Sequence, residues 1–292
     1  MAKIEYLAFK SQVGRSKPRS IPKLQDLFAV FLTHAQAVVY TVSAVYVWLF
    51  ILTLSFLVVF LKLNKFDISM LGSSGNKLFT FVNPYSYYIF KDELTQGEKK
   101  RFNLLADGIS LVKLYNFFSL DEDKIERYSF DFTSLAPIVF EFCERENIKI
   151  AILGSADNEL KIAVSVLLKR FKNLNIVFVH DGFFNIDDKS IYESLNESGA
   201  ELVISGMGTP KQEKFLLKVE EYCPCLKFGF TCGGFLTQIS TSPDYFSPIM
   251  SRFHLRWLQR FIRHSFVRKR VLVDYPKFFV RFLFGKYVKK IR

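Results

Sequence analysis

Three clusters of residues in this chain could do chemistry. The first is Leu202 to Glu213, LVISGMGTPKQE, where an apolar run passes through Gly206 and Gly208 into Pro210, followed by Lys211, Gln212 and Glu213. That order describes a buried strand, a tight turn and a helix start. Glycines let backbone N–H groups approach a ligand closely, and proline suits a first helical position because its missing donor would be orphaned there. A helix start behind such a turn can hold an anion such as a diphosphate; an ordinary strand-to-helix connection has the same shape. The second cluster, LLADGI, sets Asp107 between apolar neighbours and a glycine. Such surroundings raise a carboxyl's pKa, as a general base requires, although a turn or helix-cap carboxylate reads the same way. In the third, Asn83 follows the apolar run KLFTFV and precedes Pro84. It would end a strand with an amide donor and acceptor available, or form an Asx-turn.

The elements that position these clusters are regular. Apolar segments begin at Lys149, Asn175, Glu201 and Lys227, 26 residues apart, and each ends in a small or polar cluster. These clusters are Gly154-Ser155, Asp181-Gly182, Gly206 with Gly208, and Gly233-Gly234. Helical spacing fills the gaps, with Leu160, Val164, Leu167, Leu168 and Phe171 on one face and Leu135, Ile138, Val139 and Phe142 on another. Apolar strands alternating with amphipathic helices predict an α/β fold, a Rossmann-like parallel sheet flanked by helices. Ligands bind such sheets beyond the carboxyl ends of the strands, where the clusters fall.

Charge is concentrated at one end. Residues 251–292 hold 13 of the 40 Lys and Arg and one of the 28 acids, Asp274, leaving 27 of each sign elsewhere. Met250, Phe253, Trp257, Leu258 and Phe261 share one helical face, with Arg252, Arg256, Arg260 and Arg263 opposite. Tyr275, Phe278, Phe279 and Phe282 repeat the apolar spacing after Arg268-Lys269-Arg270. A basic, aromatic-rich helical tail suits an interfacial membrane anchor, each Lys or Arg adding roughly 1 kcal/mol on an anionic leaflet. Nucleic acid is the poorer partner, because a long apolar face is wasted on a phosphate backbone. Packing of the apolar faces on the core, with the arginines solvated, is the structural alternative.

Near the amino terminus, Ala37 to Leu61 is uncharged over 25 residues, enough for a helix to cross a hydrocarbon core. A buried helix or strand pair is the alternative. Six basic residues, Lys3, Lys10, Arg15, Lys17, Arg19 and Lys23, precede it and would keep the amino terminus inside, sending the following domain out. A nucleotide-using domain belongs in the cytoplasm, so the expectation is a peripheral or N-terminally inserted protein on the cytoplasmic face. The division expected is an extension over 1–70, an α/β catalytic domain over 71–246 and a docking tail over 247–292. Cys143, Cys223, Cys225 and Cys232 form no C-x-x-C pair, and the four histidines are dispersed. No metal or cofactor is expected, and a reducing compartment is the simplest inference. His180, at a strand end, fits either a ligand-facing donor or a structural histidine.

Asn83, Ala106-Asp107-Gly108, the HDGFF of His180 to Phe184, the GMGTPKQE of Gly206 to Glu213, and the tail through Leu255-Arg256-Trp257 to Arg268-Lys269-Arg270 occur in the order of one family. Over roughly Leu78 to Phe284 the chain resembles the WecG/TagA/CpsF glycosyltransferases, glycosyltransferase family 26. The resemblance implies inverting transfer of a sugar, of N-acetylhexosamine or uronate type, from a UDP donor to a sugar on a polyprenyl diphosphate. It makes Asp107 the proposed base and sets Asn83 and Gln212 near the donor sugar or reacting centre. Arg252, Arg260, Arg263, Arg268 and Arg270 become candidates for the lipid diphosphate. Backbone donors around Gly154-Ser155 and Gly206 to Gly208 could stabilise departing UDP. The family's usual Thr two positions before the Asn is Phe81 here, its Glu before the tail tryptophan is Arg256, and its Asp-Phe-Leu after the glycine pair is altered around Phe235-Leu236-Thr237-Gln238. These changes bear on donor identity. Homo-oligomerisation is left open.

Overall fold

The computed structural model describes residues 61–72, 75–119, 124–242, 261–262 and 265–288, all within one compact unit, Val58–Arg292. The apolar run over 37–60 and the tail residues Arg252, Arg256, Arg260 and Arg263 lie outside the described residues. Among the described residues no helix is long and apolar enough to cross a membrane.

In chain order the elements are β1 (Leu78–Val82), α1 (Ser86–Glu93), α2 (Gln96–Lys100), β2 (Phe102–Ala106), α3 (Ile109–Phe118), α4 (Leu135–Arg145) and β3 (Lys149–Gly154). They continue with α5 (Asp157–Arg170), β4 (Asn175–His180), α6 (Lys189–Glu197), β5 (Leu202–Gly206), α7 (Lys211–Tyr222), β6 (Phe228–Thr231) and α8 (Phe235–Thr241). The tail holds α9 (Ser265–Lys269), a π-helical turn (Arg270–Asp274) and α10 (Tyr275–Val288). All six strands are parallel, in the order β2-β1-β6-β5-β3-β4. The 26-residue rhythm is borne out within a residue, and β2 joins β1 as a strand the rhythm did not announce.

The two-residue period of each strand divides its side chains between two cores. In β3, Ala151 and Leu153 join α1, α3, α6, α7 and α10 on one face, while Ile150 and Ile152 join α4, α5 and α8 on the other. The helical faces read from spacing are partly rotated. Ile138 and Leu168 are exposed, and Ala136, Phe140, Cys143 and Ala163 are buried instead. Small residues close the helix–sheet contact where the apolar pattern gave them no weight. β2, although an edge strand, is buried throughout. Asn64 covers it, its N–H donating to Leu104 O at 2.7 Å and its Oδ1 accepting from Leu104 N at 3.0 Å. A backbone edge satisfied in this way cannot template another strand.

Following β3, the chain passes through α5 on one face; following β5, it passes through α7 on the other. These neighbouring strands therefore bound a switch point, the crevice where parallel sheets bind ligands. Here Gly154 pairs with Gly206, and a Cβ on Gly154 would stand 2.7 Å from Gly206 Cα. Only glycine allows the strands to end this closely.

Candidate active site

Beyond the carboxyl ends of β1, β2, β5 and β6 opens a cavity of about 540 Å³. It brings together Asn83, Asp107, Gly206, Gly208, Gln212 and Arg270, six of the residues expected from sequence. Asp107 immediately follows β2, and its backbone N–H donates to Val82 O at 2.8 Å, which ties it to the end of β1. The apolar surroundings expected for it are not what it meets. Arg127 Nη2 donates to Asp107 Oδ1 at 2.9 Å and to Ser129 Oγ at 3.0 Å, and stands 3.7 Å from Asp131 Oδ2. Sequence reading missed this loop, because residues between α3 and α4 carry no apolar period; Arg127 followed by Ser129 and Asp131 was its signal. Burial alone would raise the Asp131 carboxyl, but bonds from Thr133 and Ser129 and the Arg127 charge hold it below its ordinary range. The loop thus presents one cation bound by two carboxylates, with Asp107 and Asp131 both on the cavity wall.

Asn83 realises the Asx-turn. Its Oδ1 accepts from Tyr85 N at 3.0 Å and Ser86 N at 3.1 Å, fixing the start of α1, so its amide N–H groups are what it offers the cavity. Gln212 is nearly buried and committed at both ends. Its Nε2 donates to Glu213 Oε1 at 3.1 Å and Thr209 Oγ1 at 3.3 Å, and its Oε1 accepts from Gly233 N at 3.3 Å. It therefore binds the β5–α7 turn to the β6–α8 turn, and both turns line the cavity.

Glu213 lies beneath this floor, fully buried. Its Oε1 accepts from Thr80 at 2.8 Å and Thr209 at 3.0 Å besides Gln212, while Thr231 donates to Thr80 at 3.0 Å. Among the described residues Oε2 has no partner. Burial pushes this carboxyl above the usual carboxylate range, against the lowering effect of its hydrogen bonds. Its position is that of a brace under the cavity. Pro210 is the cap residue one position before α7, which begins at Lys211 and not at the proline; the Thr209–Pro210 peptide is cis. Gly208, at φ +79°, supplies the left-handed turn and leaves the space before it open.

Gly154, Ser155 and Asp181 gather at the switch-point crevice, beside the cavity and outside its lining. Ser155 N donates to Gly206 O at 3.4 Å, and Gly182 N to Ser155 O at 2.9 Å. Asp181 Oδ1 caps Phe183 N at 2.7 Å, and His180 Nδ1 lies 2.9 Å from Asp181 O. Lys211, given no role from sequence, donates to Gly182 O at 2.9 Å and Phe184 O at 2.7 Å and so secures this loop to α7.

From the tail, Arg270 reaches the cavity, its guanidinium 4.0 Å from the Tyr85 ring centre. Arg268 instead turns to Phe261 O and Ile262 O and is exposed. Phe81, Thr237 and Gln238, all at positions where the chain departs from the family pattern, line the wall. Cys232 does too, but burial pushes its thiol up to about 12, so it stays protonated and is no thiolate nucleophile. Among the described residues no group of His, Cys, Asp and Glu could hold a metal ion.

A parallel sheet that gathers an acid, amides, a cation and glycine turns at its carboxyl edge is built to position a group for transfer, and comparison with known proteins narrows that class to the glycosyltransferases. The chain belongs to the glycosyl transferase WecG/TagA/CpsF family, whose pattern matches residues 67–292. It is similar to the UDP-Gal:alpha-D-GlcNAc-diphosphoundecaprenol beta-1,4-galactosyltransferase of Shigella boydii, 38% identical over 211 residues, covering 70% of this chain and 84% of that protein. It is also similar to the N-acetylglucosaminyldiphosphoundecaprenol N-acetyl-beta-D-mannosaminyltransferase of Bacillus spizizenii, 23% identical over 179 residues, 60% of this chain and 65% of that protein.

Proposed function

We propose that this enzyme moves a sugar from a UDP-sugar onto a sugar carried by a polyprenyl diphosphate, inverting the anomeric centre, in bacterial surface-polysaccharide assembly. The observation that carries the reading is the single cavity shared by Asp107, held by Arg127, the glycine turns and Arg270. Asp107 takes the proton of the acceptor hydroxyl as that oxygen bonds to the donor's anomeric carbon. The bond from that carbon to UDP breaks with its electron pair, and Arg270 with the N–H dipoles of the turns stabilises the departing charge. Asn83 orients the donor sugar, Gln212 and Glu213 keep the turns in register, and Gly154, Ser155, Asp181 and Pro210 border the nucleotide. Similarity to a galactosyltransferase puts UDP-galactose beside N-acetylhexosamine and uronate donors as candidates.

A lipid-borne acceptor also accounts for the basic tail. In this reading residues 247–292 dock the catalytic domain on the cytoplasmic face of the membrane, Arg252, Arg260, Arg263 and Arg268 meet the lipid diphosphate, and residues 37–61 add a second attachment.

The test is UDP release by the purified protein from a panel of UDP-sugars, with and without a short polyprenyl-diphosphate-sugar acceptor. Acceptor-dependent release from one donor establishes the transferase and names the donor. Binding of UDP without release from any donor would leave a silent nucleotide-sugar binder instead.

A further inference from the structure

An arginine that meets a carboxylate commonly does so with two parallel N–H groups, one on each oxygen. Arg127 and Asp107 do not meet in that way. A single nitrogen, Nη2, donates to Oδ1 of Asp107 at 2.9 Å, and among the described residues no side chain holds Oδ2 of that carboxylate. Nη2 also donates to Ser129 Oγ at 3.0 Å, which spends its second hydrogen. The Ser129 hydroxyl in turn donates to Asp131 Oδ2 at 2.7 Å, and that oxygen lies 3.7 Å from Nη2. Ser129 and Asp131 therefore compete with Asp107 for the guanidinium. The competitors are firmly placed. Oδ1 of Asp131 accepts from Thr133 N at 2.9 Å, and its carbonyl accepts from Ser134 N at 3.1 Å and Ala136 N at 3.3 Å, which ties it to the start of α4. Tyr128 N donates to Ala106 O at 2.8 Å, which ties the same loop to the end of β2. Phe130, between Ser129 and Asp131, is buried with the ring centres of Phe230, Phe235 and Phe140 5.4, 5.6 and 5.9 Å away.

We propose that Ser129 and Asp131 are positioning residues: they hold the Arg127 guanidinium to one oxygen of Asp107 and so keep the other oxygen open to the acceptor hydroxyl. This rests on the reading of Asp107 as the base and adds how that base stays available. A carboxylate forked by a guanidinium has both oxygens engaged, and it must break a charge-assisted bond before it can take a proton. Without Asp131 or Ser129 the second hydrogen of Nη2 loses its acceptor, and Arg127 closes onto Asp107 in the forked pose. The two acids are not interchangeable. The Asp131 side chain is 5% exposed, and its oxygens are taken by Thr133 and Ser129, whereas that of Asp107 is 19% exposed. Asp131 thus acts through Arg127 and leaves the substrate to Asp107.

The experiment is a double-mutant cycle on the full chain, read by UDP release at saturating donor and acceptor. Asp131→Asn keeps an oxygen for Thr133 and loses the charge that draws Arg127. It should lower kcat by about 10- to 100-fold, the effect of a misplaced reacting group, and leave UDP affinity within about threefold. In the Asp107→Asn background the same exchange should change the residual rate by less than about threefold, because no base is left to position. Equal losses in the two backgrounds would mean that Asp131 supports only the fold of the loop, and would overturn the inference, as would a kcat close to that of the parent enzyme. Ser129→Ala removes the middle link alone and carries the same cycle if Asp131→Asn does not fold, with an expected loss of about 5- to 30-fold confined to the chain that retains Asp107. A crystal structure of either variant should show two Arg127 nitrogens on the two Asp107 oxygens; a guanidinium still on Oδ1 alone would also overturn the inference. The two readings fail differently. Normal turnover in Asp107→Asn removes the base and this inference with it, whereas a large loss in Asp107→Asn beside normal turnover in Asp131→Asn and Ser129→Ala removes this inference alone.

Discussion

Replacing Asp107 by Asn separates the proposed base from the structure around it. Asn keeps the shape and one oxygen that can accept from Arg127 Nη2, now 2.9 Å away, but it has neither charge nor basicity. Arg127 is not stranded, since Ser129 Oγ remains at 3.0 Å and Asp131 at 3.7 Å. The ion pair is largely shielded, with side-chain exposures of 21% and 19%, so its loss should cost about 1 kcal/mol, a fall in melting temperature of about 2–4 °C. A general base contributes about 10²- to 10⁴-fold to rate, equal to about 2.7–5.5 kcal/mol of barrier. The expected result is therefore a kcat lower by two to four orders of magnitude in the UDP-release assay, measured at saturating donor and acceptor. UDP affinity by calorimetry should change by less than about threefold, because in the proposed arrangement the carboxylate meets the acceptor and not the nucleotide. A kcat within about fivefold of the parent enzyme would refute the assignment of Asp107 as the base. A large loss of UDP affinity would show that the pair serves the donor instead.

Three further outcomes follow from the geometry. Gly154→Ala drives a Cβ to 2.7 Å from Gly206 backbone atoms at φ +146°, so overpacking and backbone strain together should cost about 2–5 kcal/mol; calorimetry should show a melting temperature lower by about 5–15 °C, and an unchanged value would mean that the two strand ends are not in contact. Glu213 holds its proton more tightly folded than unfolded, so the stability its neutral form gives is complete below the unfolded value of 4.5 and is lost as pH rises through the raised folded value. Glu213→Gln cannot ionise and its stability should fall less steeply with rising pH from about pH 5 upward; identical slopes in thermal melts would show that this carboxyl does not titrate with folding. Arg270→Gln removes the cation beside Tyr85 and should lower kcat/KM by roughly 10- to 100-fold, while unaltered initial rates would exclude Arg270 from the chemistry.

Much of the fold was legible because a buried parallel strand must be apolar on both faces and a helix must cover it. That requirement writes a rhythm into the chain, and the segments starting at Lys149, Asn175, Glu201 and Lys227 carried it. β2 escaped because Phe102–Ala106 is short and follows Lys99-Lys100-Arg101, which reads as a solvated turn until Asn64 is seen to cover the strand edge. Asn83 was legible as a polar residue ending an apolar run, and Asp107 as an acid set between apolar neighbours beside a glycine. Arg127 was not, since a loop residue's partner 20 positions away leaves no periodic trace.

The sequence by itself determined the alternation of strands and helices, the glycine turns at the strand ends and the basic balance of the tail, because local patterns of size, polarity and charge suffice for each. Only the tertiary structure decided which polar residues share a cavity, that Glu213 braces the floor from below, and which side of α10 faces outward. Those outcomes depend on distances between segments far apart in the chain. The burial of Phe278 and Phe282 against Tyr87 is the clearest case: helical spacing says that two rings share a face, but only packing says what that face meets.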